Sequence, residues 1–521
     1  MDRMSWKKYL FVSGMGLAVI LAAAVFQQAP GFMDAEYYAA IARRLVEGRG
    51  LTEPFIWNYL QTVEELPSPA FAYWMPMPSL VAAAGYFIFG SGSFISAQSG
   101  FLLLAALIPP LTSKLTLRIC SDERAALFSG LLAAFSGFYV PFLTTTDSFA
   151  IYMLGGLGIL LITSREREGL KVLVLGMLAG GMHLTRAEGI LWLGFAGVGL
   201  HLTRKIQAKE ISLLFGGYLL LVGPWMVRNL QAFGTLLSPA GSKALWMTSY
   251  DALYSYPSAS LNIRNFLNQG FGKIFQDRLW AGWMNMKTAL AVQGGILLLP
   301  LIIIGAVKTR EKSLVQTGLI SWGVLFLVMT AIFPFPGARG GFFHSGASLQ
   351  TLLWALAGAG LAAIISWGAE NRGWQPEQAW KVLGSGWVML AVFLTGLLFQ
   401  QRVIGEEIQD PIWKKSYQEH LRIASTVEML TQNEESFLMV NNPPGLYFAA
   451  GLSSAVIPNG GPGVLEGAAL DVGANLVVLE KNHPRGLVDL YLDPQTVGQL
   501  EYIFSEQGRH YFRVVNSKEG P

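Results

Sequence analysis

The chain has 521 residues, 52% of them hydrophobic and 14% charged, and a net charge of +3. Soluble domains carry about a quarter charged residues, so the deficit excludes an ordinary soluble enzyme and points to a bilayer. The small net charge, with no basic tract, argues against a nucleic-acid partner, and the single cysteine, Cys120, excludes an internal disulfide or a cysteine-built zinc site.

A membrane-crossing helix needs about 20 mostly apolar residues, because nothing in hydrocarbon satisfies an open backbone. Arg3, Lys7 and Lys8 precede an apolar run at 9–26, read as an uncleaved first span rather than a signal peptide. Residues 34–47 follow with Tyr37, Ile41 and Leu45 on one stripe, which predicts an amphipathic helix lying along the membrane surface. The stretch 76–90 is short, opens with two prolines and ends in Gly-Ser-Gly. Further runs lie at 94–117, 123–143, 147–163, 168–185, 187–203, 211–229, 288–307, 313–333, 347–367 and 380–399. The expected fold is therefore a polytopic α-helical membrane protein of about eleven spans.

The basic residues decide sidedness. With 76–90 kept as an outer-face helix, the cytoplasmic loops carry Lys114, Arg118 and Arg124; Arg165, Arg167 and Lys171; Arg204, Lys205 and Lys209; Lys308, Arg310 and Lys312; and Arg372 with Lys381. This puts the N-terminus in the cytoplasm and the C-terminus outside. Three outer segments, 27–93, 230–287 and 334–346, are then too long for simple connectors and are expected to be folded and functional. From 401 the composition turns polar. Short apolar runs at 437–440, 475–479 and 511–515, with helical stretches near 412–431 and 462–470, predict a small extracytoplasmic α/β domain over 401–521, after a transmembrane domain over 1–400. The Gly-rich piece at 459–463 lacks a following Gly-Lys-Ser/Thr and reads as turn chemistry rather than a phosphate loop.

Three polar clusters fall on the expected outer face: Asp34 with Glu36, Asp147 in Thr144-Thr145-Thr146-Asp147, and Arg186 with Glu188. Ionisable groups at membrane depth are functional by default. Each has a simpler reading. Asp34 and Asp147 sit where an acid caps a helix, Arg186 and Glu188 pair within a turn, and Glu36 lies on a solvated face. Outer-face cations run against the cytoplasmic bias. They include Arg228, which ends a span, Arg339 in the 336–341 turn, and Arg264, Lys273, Arg278 and Lys287 between them. Arginine grips phosphate with parallel charge-assisted bonds; binding lipid headgroups is the alternative. The six histidines show no metal-ligand spacing, His183 reads as a satisfied buried side chain, and no Gly-x-Ser-x-Gly is present.

Several short motifs recur in order: Met33-Asp34-Ala35-Glu36-Tyr37-Tyr38, Gly48-Arg49-Gly50, Trp74-Met75-Pro76, Thr146-Asp147 opening a span, Leu184-Thr185-Arg186-Ala187-Glu188-Gly189, and Pro224-Trp225 with Arg228-Asn229. Over about residues 9–370 this order resembles the GT-C glycosyltransferase superfamily, in particular its protein O-mannosyltransferase, aminoarabinose transferase and RgtA/B/C/D-like members. The resemblance implies a membrane glycosyltransferase taking a sugar from a polyprenyl-phosphate-type lipid to an extracytoplasmic acceptor (protein, lipid or polysaccharide). It implies Asp34 as catalytic base and Asp147 as its support. It matches Arg228 and Arg339 more loosely to donor-phosphate contacts; Arg186 is a further candidate for that contact, and Glu36 and Glu188 are candidate supporting acids. The family often has adjacent acids in its first outer loop; here Ala35 separates Asp34 from Glu36. No cofactor is expected. Some relatives bind a divalent metal, and one is possible here, but no residue spacing calls for it. A lipid or solute transporter and a non-enzymatic membrane assembly protein are the alternative readings.

Overall fold

The computed structural model describes residues 4–61, 63, 65–163, 168–258, 261–432 and 436–515; Arg3, Arg165 and Arg167 of the charge argument lie outside the described residues. The chain forms two compact units, each assembled from three separate segments.

The first unit comprises Met1–Gln28, Trp74–Leu236 and Gly272–Ile412 and is helical. Among the described residues, seven helices are long and apolar enough to cross a membrane: Trp6–Phe26, Phe94–Cys120, Glu123–Leu143, Ala208–Phe233, Ser313–Ile332, Pro334–Arg372 and Pro376–Ile404. The four other expected spans appear as shorter apolar helices, Phe149–Thr163, Gly169–Thr185, Ala187–Thr203 and Leu299–Thr309, and the 76–90 stretch forms Met77–Phe89. Local chemistry explains one shortening. The helix Phe271–Thr288 runs on through a wider turn at Ala289–Gln293, then breaks where Gly295 and Ile296 adopt φ of +53° and +54°, and restarts at Leu299.

The helix Phe342–Arg372 is the most enclosed element of this unit, buried on nearly every face from Ser345 to Leu361. Its run of Ala, Gly and Ser lets neighbouring backbones approach closely, which is how helices associate where lipid removes the hydrophobic driving force. A Cβ added at Gly305 would lie 1.9 Å from the Leu356 carbonyl oxygen, one at Gly360 would lie 1.9 Å from that of Leu301, and one at Gly156 would lie 2.0 Å from that of Ser348. Gly305→Leu is therefore expected to force the Leu299–Thr309 helix off its partner. The loss should be about 1–3 kcal/mol of stability or more, read as a lower melting temperature in detergent. Gly323→Leu, with open space around its Cβ position, serves as the control.

The second unit comprises Ala29–Tyr73, Leu237–Phe271 and Trp413–Pro521. Its five-stranded sheet has the order Ser454–Val456, Leu438–Val440, Leu476–Leu479, Arg509–Val514, Leu500–Glu506. The first three strands are parallel and the last two antiparallel. Strand residues alternate between faces. Met439, Val477 and Phe512 pack with Leu465, Ala468 and Leu487 on one side. Leu438, Val440, Val478 and Tyr511 pack with Ile423, Val427 and Leu446 on the other.

Segments far away in sequence complete this unit. Ile56 pairs with the edge strand, its N–H donating to Ser454 O at 2.9 Å and its carbonyl accepting from Val456 N at 2.7 Å. The Tyr59 hydroxyl donates to Val456 O at 2.5 Å, and Asn459 N donates to Tyr254 O at 2.7 Å. The helix Met33–Val46 departs from the surface placement expected of it. Every residue from Ala35 to Ala42 is buried, as is Arg44. The reason is its small side chains: Ala35, Ala39, Ala40 and Ala42 let packing extend beyond the Tyr37–Ile41 stripe. Tyr37 donates to Glu53 at 2.7 Å and accepts from Phe71 N at 2.9 Å, while Arg44 donates to Tyr447 Oη at 2.8 Å.

Candidate active site

In the first unit, turns from three parts of the chain meet. Thr144–Ser148 joins a short helix, Val140–Leu143, to Phe149–Thr163, and all five residues are buried. Polar side chains fix the turn from two other helices. Gln27 donates to Pro141 O at 2.7 Å and accepts from Thr144 Oγ1, and Gln98 donates to Thr144 O. Asp147 is thereby held rigidly, its Oδ1 accepting from Ser148 N at 2.5 Å. A capping acid bonds amides two or three residues on. The amide that Asp147 Oδ1 accepts from is that of the next residue rather than one two or three residues on.

The Oδ2 of Asp147 lies 3.2 Å from His344 Nε2. His344 is two residues into the long central helix, stacked on Phe149 at 4.1 Å between centroids, with Nδ1 2.9 Å from Gly340 O. A carbonyl can only accept, so Nδ1 carries a proton. The other nitrogen then meets the carboxylate either as an N–H donor or as a lone pair that needs a cation between them. Asp147 and His344 each present a ligand atom of a type that a divalent ion accepts, one oxygen and one nitrogen.

The neighbouring turn carries Arg186 and Glu188 between Gly169–Thr185 and the single turn Ala187–Ile190. Arg186 Nε donates to Glu188 Oε1 at 2.5 Å, and Ser345 Oγ donates to the same oxygen at 2.6 Å. Their side chains are 17% and 8% exposed, so the pair is largely desolvated. The Arg186 guanidinium is near enough to act electrostatically on Asp147. Adjacent residues of one helix, His344 and Ser345, thus bind the two turns together.

The remaining arginines are placed differently. Arg339 sits in the kinked turn 337–341, ahead of His344, where Gly340 takes φ of +123°. Arg228 lies over the rings of Trp225 and Phe233 at 4.8 and 5.0 Å and donates to Asn229 Oδ1 at 3.2 Å. His183 is the satisfied buried side chain expected of it, paired with the Tyr218 hydroxyl at 2.6 Å.

In the second unit, Asp34 and Glu36 occupy the first turn of Met33–Val46, where the helix dipole favours negative charge. Asp34 is half-buried, but Glu36 is 1% exposed, which sets aside a solvated face for it. Its Oε2 accepts from Asn442 Nδ2 at 2.7 Å and its Oε1 from Ser416 Oγ at 3.4 Å. Burial, reinforced by the Asp34 charge, pushes the Glu36 carboxyl up to about 7 despite those two donors.

His344 and Ser345 were not singled out from the sequence. The signal lay in segment 334–346, too long for a connector, where Phe342-Phe343-His344-Ser345 places an imidazole and a hydroxyl at the head of an apolar helix.

No protein-family model and no curated protein matches the sequence. Solved structures do match. ArnT from Cupriavidus metallidurans bound to undecaprenyl phosphate aligns over 98% of this chain and 99% of its own, with TM-score 0.55 and 14% identity. The Archaeoglobus fulgidus oligosaccharyltransferase in complex with Zn and sulfate aligns over 97% of this chain and 73% of its own, with TM-score 0.56 and 12% identity. The archaeal oligosaccharyltransferase AglB, in complex with an inhibitory peptide and a dolichol-phosphate, aligns over 99% and 75%, with TM-score 0.50 and 12% identity. The chain therefore shares the fold of these solved structures.

Proposed function

We propose that this chain is a membrane glycosyltransferase that moves a sugar from a polyprenyl-phosphate-type lipid to an acceptor hydroxyl on the outer face of the plasma membrane. The observation that carries the reading is the desolvated set in the first unit: Asp147 with His344 and Arg186 with Glu188, held on adjacent turns by consecutive residues of one helix. Burying so many ionisable groups is unfavourable unless they are used. The whole-length likeness to a fold whose solved members carry lipid phosphates supports the same assignment.

The proposed topology has eleven spans, the N-terminus in the cytoplasm and 401–521 outside. Nucleotide sugars stay in the cytoplasm, so an outward-facing transferase takes its donor already lipid-linked. The acceptor oxygen attacks the anomeric carbon as Asp34 takes its proton, and the bond from that carbon to the phosphate oxygen breaks with inversion. The departing polyprenyl phosphate needs cations rather than a general acid. Arg186, Arg228 and Arg339 are assigned to it. Asp147 orients the acceptor side, while Glu36 and Glu188 hold Asp34 and Arg186 in place.

In proteoliposomes with polyprenyl-phosphate-linked mannose, glucose or aminoarabinose, release of polyprenyl phosphate should depend on this protein. Asp147→Asn should slow it by about a hundredfold. No release with any of these donors, alone or with a peptide, lipid A or polysaccharide acceptor, would sink the proposal.

A further inference from the structure

Glu36 does a job that its first-turn position does not suggest. Its carboxyl is received at the carboxyl end of the parallel strand Leu438–Val440, where Asn442 both donates to it and caps the helix Pro443–Ala450 through Gly445 N at 3.1 Å. The helix after this strand packs on one face of the sheet. The turn after its neighbour Leu476–Leu479 packs on the other. Open α/β sheets take their ligands where connections part in this way; here the group received is a carboxyl from the chain's own N-terminal region.

The seat is closely fitted. A Cβ at Gly445 would lie 2.7 Å from Glu36 Oε2 and 2.3 Å from His420 Cε1. His420, on Lys415–Thr431, places Nδ1 3.9 Å from Glu36 Oε1, and that nitrogen has no hydrogen-bond partner among the described residues. The other charged groups on this helix or against it are engaged elsewhere. Arg43 and Arg44 reach Phe448 and Tyr447, and Glu53 accepts from Tyr37. Asp34 acts on Glu36 from the same helix, and Arg509 acts on His420.

We infer that Glu36 is a positioning residue: its carboxyl, held by Asn442 and Ser416 and facing His420, locks the helix that carries Asp34 onto the α/β sheet, and its ionisation loosens that lock. The inference rests on the transferase reading only for its effect on turnover.

Burial holds the two groups apart, the Glu36 carboxyl up at about 7 and the His420 imidazole down at about 4. The signs are opposite. The Glu36 contribution is complete below the usual carboxylate range and is lost as pH rises through about 7. The His420 contribution is complete above about 6.5 and is lost as pH falls through about 4. In the wild type the two nearly cancel through mildly acidic pH. Glu36→Gln keeps an uncharged, bonded side chain and removes only the first contribution, so the ratio of wild type to variant isolates it.

The test is hydrogen exchange of peptides spanning 33–46 in the full-length protein in detergent, corrected for the intrinsic pH effect. Protection of wild type relative to Glu36→Gln should fall about tenfold or more from pH 5 to pH 8. A ratio that does not change with pH overturns the inference. Gly445→Ala, which crowds the seat without altering any residue of 33–46, should lower protection of 33–46 at both pH values; unchanged protection also overturns it. With polyprenyl-phosphate-linked mannose as probe, Glu36→Ala should lose more than about tenfold in kcat with KM little changed, and Glu36→Gln should recover most of it and flatten the alkaline limb. If the wild type transfers no sugar from mannose, glucose or aminoarabinose donors, the transferase reading falls and the exchange ratio alone decides the seat.

Discussion

Asp34→Asn is expected to abolish sugar transfer, lowering kcat by about 10³-fold or more, while the protein still inserts and keeps its melting temperature. An acceptor hydroxyl holds its proton far too tightly to attack unaided at neutral pH, and a positioned base contributes about 10²–10⁴-fold. Asparagine keeps the shape and one carbonyl oxygen but cannot take a proton. Asp34 lies in the first turn of Met33–Val46, a helix with eight consecutive buried residues from Ala35 to Ala42, so its backbone is firmly held. The isosteric change leaves that packing untouched. The measurement is release of polyprenyl phosphate in proteoliposomes, with thermal unfolding in parallel. Turnover within tenfold of wild type would remove Asp34 from the reaction.

Glu188→Ala is expected to be the most damaging single change to stability, at about 3–5 kcal/mol. A buried ion pair gains little over apolar packing, but deleting one partner leaves the other as an uncompensated charge. Here the survivor would be Arg186, whose side chain is only 17% exposed, and Ser345 would lose one of its two acceptors, keeping only Gly341 O. Arg186→Ala should be similarly harmful, and the double variant should be less harmful than the sum of the two, since neither charge then remains stranded. Thermal unfolding of the three variants in detergent measures the coupling. Additive losses would mean that the pair does not act as a unit.

Much of the helical unit was legible because hydrocarbon allows few solutions: apolar runs near 94–117, 123–143 and 313–333 correspond closely to helices Phe94–Cys120, Glu123–Leu143 and Ser313–Ile332. Short runs such as 475–479 showed as strands for a related reason, since a buried parallel strand is continuously apolar. What the sequence concealed was pairing at long range. Nothing local in Ile56 indicates that its backbone will bond Ser454 and Val456, or in Glu36 that Asn442, 406 residues on, will hold it. The site divides similarly. Acids and arginines at span ends were conspicuous because charge is rare there. His344 and Ser345 were not, because a histidine and a serine at the head of a helix are unremarkable until the turn they touch is known.

The segment around Ile56 has a consequence for how the protein is made. At about 5–20 residues per second of synthesis, the 406 residues between Glu36 and Asn442 take roughly 20–80 s to appear. For that period the helix Met33–Val46, threaded with tyrosines and alanines, has no sheet to join. A nascent chain halted before residue 438 would leave it permanently without a home and a natural client for chaperones. The converse fragment, 413–521 expressed alone, would present Ser454–Val456 as a bare strand edge, and such edges recruit other chains; it should be recovered as aggregates unless a peptide covering 51–61 is supplied.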